Sequence, residues 1–240
     1  MFQIFKKEIN SFFSSLVGYI VLIIFLLAIG LFVWVFPESN VLDYGYASMD
    51  GFFYYTPFVF LFLIPAITMR SFAEEIKGGT IEILSTKPIG DLQIVLGKFF
   101  ACIFIVIIAL LPTLLYVYSI NKLGSPPGNL DFGATWGSYI GLIFLSGGFV
   151  AIGIFASSLT GNQIVAFLSA VFLCFIFYSG FDSVSGIFES QATLIQSLGI
   201  NYHFLSISRG VVDTRDAVYF ISLIVLFILF TKVSLESRKW

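Results

Sequence analysis

Leu16-Val-Gly-Tyr-Ile-Val-Leu-Ile-Ile-Phe-Leu-Leu-Ala-Ile-Gly-Leu-Phe-Val-Trp-Val-Phe36 contains no charged side chain. A helix needs about 20 mostly apolar residues to cross ~30 Å of hydrocarbon, so this stretch is long enough to span a bilayer. Lys6 and Lys7 precede it, as they would precede a signal peptide. A signal h-region is only about 7–15 residues long and ends at small residues. This run leads instead into Pro37-Glu38-Ser39, and it reads as a retained anchor.

Working outward, five more stretches of the same kind follow. The six expected spans are residues 16–36, 52–69, 99–120, 136–159, 164–181 and 217–233. The whole chain agrees with them. Of 240 residues, 58% are hydrophobic and 11% are charged, and the mean hydropathy is +1.00. Soluble chains carry about 25% charged residues, so this one lacks the polar surface to cover a water-soluble globule. The expected fold is an all-α membrane protein with six transmembrane helices.

Lysines and arginines favour the cytoplasmic side. With six spans, Lys6, Lys7, Arg70, Lys77, Lys87, Lys98, Lys232, Arg238 and Lys239 share one face. Only Lys122, Arg209 and Arg215 lie on the other. Both termini are therefore expected in the cytoplasm. Ten of the 11 tyrosines cluster toward the outer ends: Tyr44, Tyr46, Tyr54, Tyr55, Tyr116, Tyr118, Tyr139, Tyr178, Tyr202 and Tyr219. Trp34 and Trp136 join them. Such residues suit an interfacial belt, or they line an outward exit.

Residues 1–15 are too short to cross. Phe2, Phe5, Ile9, Phe12 and Leu16 recur at helical spacing, with Lys6, Lys7, Glu8 and Asn10 off that stripe. This pattern predicts an amphipathic helix lying in the interface. The connection at 70–88 also has an ordered pattern. Gly78-Gly79 ends one short helix, Thr80 is placed to N-cap the next with Glu82 in its first turn, and Pro88 stops it. It is either a solvated charged loop or a rigid docking element. The outer segment 182–216 has too few apolar residues for a crossing and predicts short re-entrant or interfacial helices.

Several function classes are excluded. Net charge is −2, so no basic surface invites nucleic acid. There is one histidine, and the two cysteines, Cys102 and Cys174, fall within apolar runs, so no metal-ligand spacing exists. No phosphate-binding P-loop motif is present, so the chain has no such means of binding ATP itself. No ionisable residue is expected in the middle of a span, which argues against an ion-driven carrier. The chain is expected to be a non-catalytic subunit without a cofactor of its own. The fourth span carries Gly137, Gly141 and Gly148; small residues let membrane helices approach closely, so these are candidate packing positions. Pro57, Pro65 and Pro112 permit kinks.

The inner connection reads Arg70-x-x-x-Glu74-Glu75-x-x-Gly78-Gly79-Thr80-Ile81-Glu82-x-Leu84-x-Thr86-x-Pro88, followed by Gly97-Lys98. Together with Asn162-Gln163, it resembles ABC-2-type exporter permeases. His203-Phe204 and Arg209-Gly210-Val211-Val212-Asp213-x-Arg215-Asp216-x-x-Tyr219 resemble the gliding-motility (GldF-type) branch. Nitrous-oxide-reductase maturation permeases look similar. The resemblance implies a multi-pass subunit of the bacterial inner membrane. It would partner a GldA-like ATPase that binds ATP and Mg, together with a GldG-like membrane subunit or a second copy of itself. It also implies that Met1–Ser15 is an elbow helix and that a coupling helix lies within Arg70–Leu84. Arg70, Glu74, Glu75, Lys77, Thr80 and Glu82 would then form the ATPase-coupling set, and Gly78-Gly79 the bend. Arg215 and Asp216 would cap and orient the sixth span, while by its own chemistry Asp213 is an N-cap candidate. The implied function is export or conformational work needed for gliding motility. The alternative is a non-transporting membrane scaffold that uses the same coupling.

Overall fold

The computed structural model describes residues 1–37, 39–43, 45–85, 90–188 and 191–237, and in it Ser15 makes the first turn of the chain. Helix α1 (Phe2–Ser14) stops there because Ser15 takes an extended conformation. The Ser15 hydroxyl then accepts the Gly18 amide and caps α2 (Leu16–Trp34). Gly18 is required at this elbow, since a Cβ there would run into the Phe12 carbonyl. Helix α1 therefore lies against the bundle instead of continuing α2.

Helix α3 (Asp50–Thr68) runs on through Met69 into α4 (Arg70–Lys77), and α5 (Thr80–Ser85) follows. Helix α6 (Asp91–Leu110) tightens at Leu111–Thr113, around Pro112, and continues as α7 (Leu114–Leu123). Helix α8 (Phe132–Leu159) is unbroken. Helix α9 (Gln163–Phe175) widens into a π turn and α10 (Phe181–Ser185). Two short helices, α11 (Ala192–Gln196) and α12 (Ile200–Ile207), precede α13 (Thr214–Glu236). The protein is all-α, with no strand among the described residues, and six of its helical runs are long and apolar enough to cross a membrane.

The first run, Leu16–Trp34, stops short of the expected 36, whereas the other five extend past the apolar stretches that mark them in sequence. Hydropathy detects only the lipid-facing part of a helix, and hydrogen bonding continues into polar residues. The second run, Asp50–Lys77, has 28 residues. At ~1.5 Å per residue it is about 42 Å long, longer than the ~30 Å hydrocarbon layer. Helix α4 is thus the polar continuation of a helical run longer than a bilayer crossing needs. The third run begins at Asp91, not Phe99, which puts Lys98 about two turns inside a helix.

Helix α8 is the centre. Of its most apolar stretch 78% is buried, against 22% for the first and fifth runs. It packs on α3, α4, α6, α9, α12 and α13. Its small residues permit this: Gly148 packs closely on Leu223, and at Gly153 a Cβ would collide with Thr68. The phenylalanines divide between roles. Phe25 and Phe60 pack ring to ring in the core, while Phe62 and Phe172 are exposed on the apolar outer surface.

The tyrosines do not form one belt. Tyr139 and Tyr178 are buried, and the Tyr139 hydroxyl bonds Thr113 at 2.9 Å, whereas Tyr46, Tyr54 and Tyr118 are exposed. Tyr44, Thr86, Lys87, Pro88, Arg238 and Lys239 lie outside the described residues.

Candidate functional site

Three elements meet at the charged end of the bundle, and Gly97 of α6 lets them meet. A Cβ on Gly97 would stand 3.1 Å from Ile4, so its absence allows α1 to lie directly on α6. The next residue, Lys98, is 1% exposed. Its ammonium lies 2.8 Å from Glu8 Oε1 of α1, 3.1 Å from Glu75 Oε2 of α4 and 2.5 Å from the Ser71 carbonyl. Of its three N–H donors, it gives one to Glu8 and one to the Ser71 carbonyl, while Glu75 Oε2 pairs with it by charge alone. The Phe72 ring lies 4.8 Å below it. Lys7 completes the set, with its Nζ 2.6 Å from Glu75 Oε1 and 3.7 Å from Glu8 Oε1. Two cations and two carboxylates alternate, so the cluster is neutral. Burial pulls the Lys7 ammonium down, but the Glu75 hydrogen bond and the charges of Glu75 and Glu8 outweigh it and hold Lys7 raised.

A second device fixes α4. Helix α4 has no side-chain cap of its own. Ser157 of α8 supplies one from across the interface. Its Oγ accepts the Phe72 and Ala73 amides at 3.0 and 3.1 Å and donates to the Met69 carbonyl at 3.0 Å. One hydroxyl thus satisfies the groups exposed where the α3 ladder breaks. On the other side, the turn at Gly161 packs beneath the end of α4, 3.3 Å from Ile76 for a would-be Cβ. Asn162 caps α9 through the Ile164 amide.

The residues expected to couple to an ATPase separate into two groups. Glu74, Lys77, Gly78, Gly79, Thr80 and Glu82 are exposed. Glu75 is not: its side chain is 12% exposed and held by Lys7 and Lys98. Its outward contact role gives way to an inward one, because the buried Lys98 needs a counter-charge. Arg70 lines a cavity, and its Nε is buried without a hydrogen-bond partner among the described residues. Thr80 does not cap α5. It is the first residue of that helix, and its hydroxyl donates back to the Glu75 carbonyl. Gly79 makes the bend at φ +67°, which suits glycine.

At the opposite end, His203 of α12 faces Asp216 of α13 at 2.7 Å through Nδ1 and the Ser197 carbonyl at 2.8 Å through Nε2. Tyr219 stacks on the ring at 3.9 Å, and its hydroxyl donates to the Leu198 carbonyl at 2.7 Å. Asp216 therefore turns inward to bind His203 and does not cap α13. Asp213 is the cap: its carboxylate accepts the Arg215 amide at 2.9 Å. That hydrogen bond holds the Asp213 carboxyl below the usual carboxylate range. Arg209 and Arg215 are exposed, and Arg215 contributes its backbone amide to the cap. Gly210 sits under Gly137, whose Cβ would be 2.7 Å from the Gly210 Cα. Gly141 likewise faces Ile207 and Phe204. Gly137 and Gly141 of α8 thus receive the segment Phe204–Gly210 of this same chain.

Glu8, Lys98 and Ser157 were not recognisable as site residues from sequence. Glu8 belongs to a polar face that looks merely solvated, and Lys98 precedes an apolar run. The Gly97-Lys98 pair is the one local signal. Among the described residues no group of three or more His, Cys, Asp or Glu is placed to hold a metal ion. Cys102 and Cys174 are free and buried.

No curated protein matches the chain significantly. The family model for ABC-2 family transporter proteins matches residues 2–211, from α1 past α12. That range holds the elbow, the α4–α5 loop, the central α8 and the first part of the His203–Tyr219 motif, without Asp213, Arg215 and Asp216. The chain belongs to the ABC-2 family of transporter proteins, as a multi-pass membrane permease subunit.

Proposed function

We propose that this permease is driven by a separate ATPase, which binds ATP and Mg and docks on the exposed side of α4–α5. The Lys98 network carries the proposal. Lys98 belongs to a spanning helix, yet it is bonded at once to α1 and to α4. A force on α4 would therefore reach α6 and α1 through charge-assisted hydrogen bonds. It would reach α8 through Ser157. Packed elements joined by such contacts shift together. Membrane helices empty of central acids also leave the energy to be supplied from outside.

The face holding this network is the cation-rich one, which supports placing it and both termini in the cytoplasm of a bacterial inner-membrane protein. The outer motif from His203 to Tyr219 supports membership of the gliding-motility (GldF-type) branch, with GldA-like and GldG-like partners or a second copy of the chain. Conformational work for motility or export follows from that assignment.

The test is co-purification with the cognate ATPase and measurement of its stimulated hydrolysis. Glu74→Arg, Lys77→Glu and Glu82→Arg, all on the exposed side, are expected to reduce capture at least tenfold together. Glu75→Gln is expected to preserve capture but lower stimulation, because it acts behind the docking surface. Undiminished capture and stimulation by the exposed triple variant would overturn the docking assignment.

A further inference from the structure

A cavity of about 620 Å³ opens between α1, the start of α2, the α3–α4 junction and α6. Its size falls within the usual range for small-molecule sites, roughly 300–1,000 Å³. Ala66, Ile67 and Ile105 give it an apolar wall. Arg70 and Glu74, further along the same helical run as Ala66 and Ile67, and Ser15 add polar groups. Lys7, Glu8 and Glu75 also reach it, but they already neutralise one another with Lys98. Two charges are left over. Arg70 and Glu74 form no ion pair among the described residues. Arg70 Nε is buried with its hydrogen-bond capacity unused. A buried donor left unmet is unfavourable, and a ligand acceptor would satisfy it.

We propose that this cavity binds the headgroup of an amine-bearing phospholipid, with the phosphate on Arg70 and the ammonium on Glu74. The guanidinium fork matches phosphate oxygens bidentately. Glu74 follows Arg70 by one helical turn, which sets the two side chains ~6 Å apart at Cβ. A phosphoethanolamine group carries its opposite charges a few bonds apart and bridges that step. The apolar wall receives the glycerol and first methylenes. A soluble zwitterion would have no use for this wall. Helix α1 is amphipathic, as expected of an element lying in the membrane interface, so the cavity opens where lipid headgroups are.

The experiment uses the purified full chain, stripped of lipid in detergent, and titrates lipid by native mass spectrometry. The probes are phosphatidylethanolamine, phosphatidylglycerol (phosphate without amine) and soluble phosphoethanolamine. Wild type is expected to bind phosphatidylethanolamine at least tenfold tighter than phosphatidylglycerol. Arg70→Gln is expected to weaken both lipids at least tenfold. Glu74→Gln, at an exposed position safe for folding, is expected to abolish the preference for the amine while retaining phosphatidylglycerol binding. Unchanged affinity and preference in both variants would overturn the site. If Arg70→Gln does not fold, an unchanged preference in Glu74→Gln overturns it alone. Phosphoethanolamine binding as tightly as the lipid would overturn the lipid assignment.

Discussion

Lys98 and Glu75 face each other at 3.1 Å, joining a membrane-spanning helix to the short helix that extends the preceding one. An ammonium this deeply buried is tolerable only with its counter-charges in place, because removal from water costs several kcal/mol per ion.

Replacing Lys98 with Met should destabilise the chain by about 3–5 kcal/mol, since Glu8 and Glu75 lose their buried cation and keep only the more exposed Lys7. The triple variant Lys98→Met, Glu8→Gln, Glu75→Gln, which leaves only the more exposed Lys7 charged, should recover most of that loss. Thermal unfolding in detergent measures both. Equal melting temperatures for the single variant and wild type would contradict the network's structural role.

Ser157→Ala leaves the Phe72 and Ala73 amides and the Met69 carbonyl without their partner. A buried unsatisfied group costs about 1–3 kcal/mol. The effect should be local. Hydrogen exchange across residues 70–77 should accelerate, while exchange in the middle of α8 should stay as in wild type.

A methyl at Gly137 has no space against Gly210. Gly137→Ala should cost about 1–3 kcal/mol, in line with overpacking elsewhere, and should separate α12 from α8. Gly133→Ala, at a position near the same end that meets only its own Asp131 side chain, should cost less. A comparison of melting temperatures separates the two.

The Asp213 cap predicts a pH effect whose sign follows from its lowered carboxyl. The stabilising charge is fully present above the ordinary carboxylate range, near pH 4. It is lost as pH falls through the lowered value. The gap between wild type and Asp213→Ala, read as exchange protection of the first turn of α13, should therefore persist at neutral pH. It should close under strongly acidic conditions. Asp213→Asn, which keeps an acceptor oxygen, should show a smaller pH dependence.

How much of this was legible beforehand differs by residue. The glycine bend at Gly78-Gly79 was readable because positive φ is a local demand. Asp213 as a cap was readable because an acid two residues before a helical amide is a local pattern. Glu75 and Asp216 were misjudged, and for the same reason. Each was read as facing outward or acting along the chain, but each answers a buried partner, Lys98 or His203, contributed by another element. Thr80 was read as a cap from its residue type, yet the local backbone already used that residue as the first of the helix.

The sequence by itself determined the membrane class, the number of apolar runs and the bipartite inner loop. These follow from quantities summed along the chain: hydropathy over about 20 residues, charge asymmetry and turn residues at fixed spacing. Only the tertiary structure decided that Lys98 is buried between Glu8 and Glu75, that Ser157 caps a helix it does not belong to, and that Gly137 packs on Gly210. Partner choice across 68 to 90 positions, as between Lys7 and Glu75 or Lys98 and Glu8, depends on which helices lie side by side. Packing of the whole bundle sets that, and no local pattern encodes it.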